Sequence, residues 1–425
     1  MNLPNARRYR PMSKATDSAK ALGARGILEK TAEAGLLEFG ISRQPVAEKW
    51  EAVLAGKDTA EVPVRVACGL DNADLTGALL GILRETPDKV FDGMAIAALA
   101  LNVEEKWLYL PEEETELRKE LEEKAQAAGV ELISGIINIR ANRAGAIHHI
   151  ETMAALADLM ADSYEPGTCL AVRRIAPGDT ETVSALKKVS YGTTVRQVLE
   201  EAGVEAETAR AVLLGTKVYD TGVLDTVIEA ETPMGNGVIT VYAEGCCMVH
   251  EAERVLLAER RHSCGKCNFC REGLFQLHTM TREMTEGKGK KEYLALMQEI
   301  GDAMVFSTPC SMGQTASDFT MGTLKLFETE YSEHIKKKCR KGICTAFQSI
   351  YIDPKLCTGC EECADVCPED AIEGKAKYIH MIDEFSCTKC GKCMDVCEEE
   401  AIVRTSGRVP KLPTRLTKVG KFKKH

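Results

Sequence analysis

Two runs decide how this chain is read: Cys357-Thr-Gly-Cys360-Glu-Glu-Cys363-Ala-Asp-Val-Cys367-Pro368 and Cys387-Thr-Lys-Cys390-Gly-Lys-Cys393-Met-Asp-Val-Cys397. Each follows C-x2-C-x2-C-x3-C, the spacing that wraps three thiolates around one cubane and sends the fourth to another. The spacing assigns Cys357, Cys360, Cys363 and Cys397 to one 4Fe-4S cluster. It assigns Cys387, Cys390, Cys393 and Cys367 to a second. The runs also repeat outside their cysteines, Ile352-Asp353 matching Ile382-Asp383 and Asp370-Ala371-Ile372 matching Glu400-Ala401-Ile402. A duplicated strand–cluster–helix unit with pseudo-twofold symmetry follows. Disulfides or zinc, the rival readings, leave so restrictive a doubled spacing unexplained.

A third set lies upstream. Ser263-Cys264-Gly-Lys-Cys267-Asn-Phe-Cys270-Arg271-Glu272-Gly273 offers three thiolates at cubane spacing, and the fourth must come from elsewhere. Cys310, in Pro309-Cys310-Ser-Met-Gly between two helical stretches, is the candidate. Lys266 and Arg271 beside the thiolates would offset negative charge there and raise the cluster's potential.

Composition narrows the setting. The 425 residues predict two to four domains, and 44% apolar content is ordinary for packed cores. Met94–Leu101 is the longest apolar run, far short of the ~20 residues of a membrane span. Met1–Arg10 is basic without an apolar stretch behind it, so no signal peptide is expected. Eighteen cysteines without an export signal point to metal ligands in a reducing cytoplasm. A net charge of −10 argues against nucleic acid as a partner. The segment 404–425 is the exception, with eight Lys or Arg and no acid. It is either a solvated extension or an arm lying across an acidic partner subunit.

Periodicity predicts a multidomain α/β plus α chain. Helical patterns occupy 14–34, 89–101 and 111–128, and strands 62–68, 106–110 and 130–139. Apolar β-branched runs at 170–175, 212–214 and 238–242 surround one helix at 194–202, which suggests a β-grasp domain. An all-helical stretch follows from Val249. The predicted domains are 1–165, 166–248, 249–338, a linker at 339–350, a ferredoxin unit at 351–405 and a basic tail at 406–425.

The duplicated cysteine unit resembles a bacterial two-cluster ferredoxin. Glu398, where the first half has Pro368, leaves the ligands untouched. The block Cys264–Gly273 with Cys310, and the domains before it, resemble the NADH-binding flavoprotein (51 kDa-type) subunit of respiratory complex I. The ferredoxin unit brings the chain nearer still to the corresponding subunit of electron-bifurcating hydrogenases and transhydrogenases. The resemblance implies a Rossmann-like domain, a soluble-ligand-binding β-grasp domain, a four-helix cluster domain and the ferredoxin appendage. In that family a loop of the form G-R-G-G-A-G-F-P holds FMN, on which NADH stacks. Glycine is needed there because backbone N–H groups must reach the phosphate unobstructed. Here Ala34-Gly35-Leu36 and Lys49-Trp50 keep the frame, but Gly35–Pro45 holds Glu38, Ile41 and Arg43 where glycines would stand and Phe39 in place of the arginine. Gly69-Leu70-Asp71-Asn72 departs from the family's polar turn, and a segment between Arg140 and Ile150 is shortened. A carboxylate in a phosphate cradle repels its ligand, so FMN is expected to be absent, with no catalytic residue of its own in this chain. A rewritten loop that still binds FMN is the alternative, and a structural scaffold a second one.

His334-x4-Cys339-x4-Cys344 offers three corners of a tetrahedral zinc site, with Cys247 as a candidate fourth. Unligated thiols in a Lys-rich linker are the plainer reading. Related bifurcating subunits resemble this chain in carrying zinc near the same hinge. Cys68 and Cys169 are expected to be small buried hydrophobes, and His148, His149, His250 and His262 structural or surface residues. The resulting expectation is an electron-transfer subunit relaying electrons through three 4Fe-4S clusters in an NAD(P)/ferredoxin oxidoreductase complex. The resemblance implies a hetero-oligomer with a flavin- and NAD(P)-binding subunit, a thioredoxin-like 2Fe-2S subunit and soluble ferredoxin as partners.

Overall fold

The computed structural model describes residues 13–177, 181–232 and 234–422. The expectation for Met1–Arg10 lies outside them. No helix among the described residues is long and apolar enough to cross a membrane. The chain forms two compact units. One gathers the chain up to Cys246 with Arg254–His278 and Ala295–Leu326, and the other Cys247–Glu253, Thr279–Leu294 and the chain from Phe327 on.

In the first unit, α1 (Lys14–Glu33) starts in a Ser13–Thr16 capping box and breaks at Gly23, whose φ of 68° is closed to helix. α2 (Val46–Gly56) follows. β1 (Val66–Gly69), β2 (Lys106–Leu110), β3 (Glu131–Ser134) and β4 (Ala146–His149) form a parallel sheet in the order β3-β2-β1-β4. β1 is buried at every position, as an apolar strand covered on both faces must be. α3 (Leu80–Glu85), α4 (Pro87–Leu101) and α5 (Thr115–Ala128) make the crossovers. α4 opens with Pro87 at its first turn and stops at left-handed Asn102. α6 (Ile150–Met160) lies so close to α4 that a Cβ on Gly93 would fall 1.9 Å from the Met153 carbonyl oxygen.

Two expected strands are shorter than their apolar runs. β1 begins at Val66 rather than Val62, and β3 ends at Ser134 rather than near Ile139. Past Ser134, Ile137 gives its N–H to the Asn72 side chain (2.8 Å) and receives its amide (2.9 Å), so the Asn72 side chain takes the bonds a neighbouring strand would need.

A second, mixed sheet contains β5 (Gly167–Ile175), β6 (Thr182–Val183), β7 (Lys187–Ser190), β8 (Ala209–Leu214), β9 (Lys217–Tyr219) and β10 (Val238–Ala243). Its order is β6-β5-β10-β8-β9, with β7 also on β5. β5 and β10 run parallel and every other pair antiparallel. α7 (Val195–Glu201) starts in a Thr194–Gln197 capping box and buries Val195 and Leu199 against Leu170, Val212 and Val241. The helices that follow are α8 (Met248–His262), α9 (Asn268–Thr285), α10 (Tyr293–Ser307), α11 (Ser311–Thr315), α12 (Asp318–Leu326) and α13 (Glu328–Ile335).

The second unit carries the duplicated module. β11 (Ser349–Ile352) pairs antiparallel with β14 (Ile402–Thr405), and β12 (Ile372–Glu373) with β13 (Met381–Ile382). Short helices α14 (Glu362–Asp365) and α15 (Lys392–Asp395) carry the third cysteine of each run. Over residues 417–422 the basic segment is tied to its own module rather than freely extended. Thr417 O accepts from Ile379 N–H (2.9 Å), Val419 N–H donates to Lys377 O (3.2 Å), and Phe422 packs on the module's core.

Candidate metal centres

The halves of the duplicated module superimpose in their hydrogen bonds. Asp353 N–H donates to Ala401 O (2.7 Å) and Asp383 N–H to Ala371 O (2.8 Å), each strand of one half tying down the other half. Gly359 and Glu361 in one loop, and Lys389 and Gly391 in its twin, take left-handed backbone, which turns consecutive cysteines toward one point. One cavity is lined by Cys357, Cys360, Cys363 and Cys397, and a second by Cys367, Cys387, Cys390 and Cys393. Each cavity thus takes its fourth thiol from the opposite run. Burial pushes the Cys363 thiol up to about 12, with Cys357 and Cys360 adding like charge. Four such thiolates need a cationic core, which iron would supply. His380 lines the first cavity and Ile350 the second.

The upstream loop lies between α8 and α9 in the first unit. Cys264 is exposed, Cys267 and Cys310 half-buried, and Cys270 buried. Burial raises the Cys270 thiol, Ser263 Oγ at 3.4 Å opposes it, and Cys310, Cys264 and Cys267 act on it as neighbouring charges. Cys310 caps α11, which brings it to the loop. Arg271 donates to Gly265 O (3.0 Å) and Asn268 Oδ1 (3.2 Å), so it fastens the loop as well as supplying charge. Gly273 lets α9 approach α10, since a Cβ there would lie 2.4 Å from Met304 Sδ.

In the second unit Cys247, His334, Cys339 and Cys344 are all buried, with their ligand atoms within 4.8 Å of one another. Cys247 Sγ lies 3.4 Å from His334 Nε2 and 3.9 Å from Cys344 Sγ, and His334 Nε2 lies 3.3 Å from Cys344 Sγ. Tetrahedral zinc with Zn–S bonds of about 2.3 Å sets its sulfurs roughly 3.8 Å apart, so the donor set fits the metal. His334 Nδ1 donates to Glu330 O (2.7 Å), which leaves Nε2 as the lone-pair nitrogen facing the sulfurs. Glu330 also accepts from Met248 N–H (3.1 Å), holding the Cys247 turn against α13. Sequence reading missed Glu330 because nothing in its spacing sets it apart from the other acids of α13. The thiols are buried rather than displayed in a surface linker.

The loop Gly35–Pro45 closes on itself through Glu38 N–H to Gln44 O (2.8 Å) and Val46 N–H to Leu36 O (2.9 Å). Glu38 does not face a ligand cradle. Its carboxylate turns inward and accepts from Lys49 Nζ (2.9 Å), His148 Nδ1 (2.8 Å), His149 N–H (2.8 Å) and Thr152 Oγ1 (2.5 Å). Trp50 Nε1 donates to His148 Nε2 (2.9 Å), which fixes the neutral tautomer that donates to Glu38. Burial pushes the Glu38 carboxyl up, but Lys49 and His148 outweigh it and hold the group well below the usual carboxylate range. The expected repulsion of a phosphate is therefore replaced by a buried, satisfied network. His148 and His149 are interior, not surface, residues. Gly40 stays glycine because a Cβ would meet Asp71 Oδ2, the acceptor of the Ile41 N–H (2.7 Å). Cys68 is fully buried, whereas Cys169 is only partly so.

Residues 250–334 match the NADH-ubiquinone oxidoreductase-F iron-sulfur binding region, and residues 349–398 the 4Fe-4S dicluster domain. The chain thus carries two 4Fe-4S binding domains and is related to the F-type (51 kDa) subunits of NADH-quinone oxidoreductase. Among individual relatives, it is 32% identical to the NADP-reducing hydrogenase subunit HndC of Solidesulfovibrio fructosivorans over 208 residues, which is 46% of this chain and 42% of that one. It therefore spans about two fifths of HndC. It is 23% identical to the F 2 subunit of the NADH-quinone oxidoreductase of Rhizobium meliloti over 388 residues, 73% of this chain and 89% of the other. Its fold is shared with a chain of an NAD+-reducing NiFe hydrogenase, with a TM-score of 0.62, 20% identity and coverage of 78% and 68%.

Proposed function

We propose that this chain is an iron–sulfur relay subunit of an NAD(P)H- and ferredoxin-linked oxidoreductase complex in the cytoplasm, of the electron-bifurcating hydrogenase or transhydrogenase kind. The observation that carries the reading is the gathering of twelve cysteines into three quartets within one chain. Outer-sphere transfer needs placed clusters and tuned potentials, not a nucleophile or a general base. Cys264, Cys267, Cys270 and Cys310 hold one 4Fe-4S cluster, and the two ferredoxin-type quartets hold the others. Cys247, His334, Cys339 and Cys344 hold a structural zinc. Flavin and nicotinamide chemistry belongs to a partner subunit, because Gly35–Pro45 holds Glu38, Ile41 and Arg43 where the phosphate-binding loop of the 51 kDa-type family has glycines. The β6-β5-β10-β8-β9 sheet with its parallel central pair serves as a β-grasp module beside a degenerate Rossmann-like domain. A thioredoxin-like 2Fe-2S subunit and soluble ferredoxin complete the set of partners in a hetero-oligomer. Anaerobic purification should yield about twelve iron per chain, as three cubanes require, with no flavin released on denaturation. One FMN per chain by fluorescence would return the flavin site to this subunit.

A further inference from the structure

The two halves of the duplicated module differ where their symmetry makes difference informative. Pairing Ile352 with Ile382 sets Ile350 opposite His380, and Arg404 opposite Gly374. Ile350 lines the cavity of Cys367, Cys387, Cys390 and Cys393. His380 lines that of Cys357, Cys360, Cys363 and Cys397. The imidazole is 2% exposed, and neither ring nitrogen has a hydrogen-bond partner among the described residues. Gly374 gives it room, for a Cβ there would lie 2.1 Å from His380 Cδ2. A buried imidazole with two idle nitrogens is costly, whereas the isoleucine of the other half carries no such cost. The ring needs an acceptor, and the sulfurs of a cluster held by that quartet are the acceptors its cavity would bring to it.

We propose that His380 donates an N–H hydrogen bond to a sulfur of the cluster held by Cys357, Cys360, Cys363 and Cys397. This stabilises the reduced, more negative state and raises that cluster's potential above the value an aliphatic residue would give. Glu362, Glu398 and Glu399 line the same cavity and act in the opposite direction, so His380 offsets an acidic surround. Repeats of one ancestry are thereby made unequal as electron carriers.

The inference rests on the assignment of that quartet to a 4Fe-4S cluster. It is tested on the full chain, loaded with iron, by potentiometric titration followed by EPR and by pulsed EPR of reduced protein labelled with 15N-histidine. The unsubstituted protein should show a 15N coupling to a reduced cluster. H380I, which copies Ile350, should lose that coupling and lower the potential of one ferredoxin-type cluster while leaving the other unmoved. H380Q, which keeps an N–H donor, should retain most of the potential. Labelled wild-type protein with both ferredoxin-type clusters and no 15N coupling overturns the proposal, even if H380I does not assemble. Superimposable titrations of H380I and wild type at equal iron content overturn it as well. Iron content short of a full cluster in the wild type overturns the quartet assignment itself, and the proposal with it.

Discussion

Glu38 shows how one carboxylate in a short loop acquires structural meaning. Its four partners lie 11 to 114 residues away in sequence. The presence of a carboxylate in the Gly35–Pro45 loop was legible in the sequence, but its inward turn was not. A neighbour in the same buried region gives a sharper test. Glu151 accepts from Cys169 N–H (2.6 Å), and burial pushes its carboxyl up to about 7. The folded protein thus binds a proton that the unfolded chain releases near 4.5. The stability from this group is full below that value and is lost as pH rises through about 7. His149, lowered to about 4 by burial, has the opposite slope and partly masks the effect in the unmodified protein. Comparing Glu151→Gln with wild type removes the masking. The difference should shift toward the variant by at most about 3 kcal/mol between about pH 5 and pH 8. Unfolding followed by the fluorescence of Trp50 and Trp107 reports it, since both tryptophans of the chain lie in the first unit.

At the scale of elements, short helices and left-handed loops collect thiols that the sequence scatters. Of the zinc-type set, local spacing marks His334, Cys339 and Cys344, and Cys247 is the candidate fourth named from its place at the opening of the helical stretch. The place of Cys247 depends on the turn before α8, 87 residues upstream of the histidine. Cys344→Ser should abolish zinc while iron stays constant, as elemental analysis can determine. It should destabilise the second unit by about 4 kcal/mol or more, the range for losing a structural metal. Unchanged zinc would exclude Cys344 as a ligand. The duplicated module was legible as a 4Fe-4S dicluster domain because its spacing is local and doubled. His380 escaped notice because only a half-against-half comparison, Ile350 beside His380, makes it stand out. The shortened β1 and β3 were not legible, because apolar runs mark burial and not hydrogen-bond pairing.

Across the whole molecule, a relay makes a demand that a scaffold does not. Cys264→Ser, assayed in the purified complex, should cut turnover to background while the partner subunits remain bound, as gel filtration would verify. Retained turnover would favour a purely architectural role. The chain also passes between its two units five times, at residues 246/247, 253/254, 278/279, 294/295 and 326/327. Neither unit can therefore be cut out as one continuous piece of polypeptide. On the ribosome, the first unit stays incomplete until Leu326 has emerged. Cys247 must wait for His334 and the two later cysteines before its quartet can form. Domains usually complete in order during synthesis, but here the nascent chain must hold an early cysteine of the second unit in reserve while the first unit finishes. Cys264, Cys267, Cys270 and Cys310 thus all leave the tunnel before the zinc-type set or either ferredoxin quartet is complete.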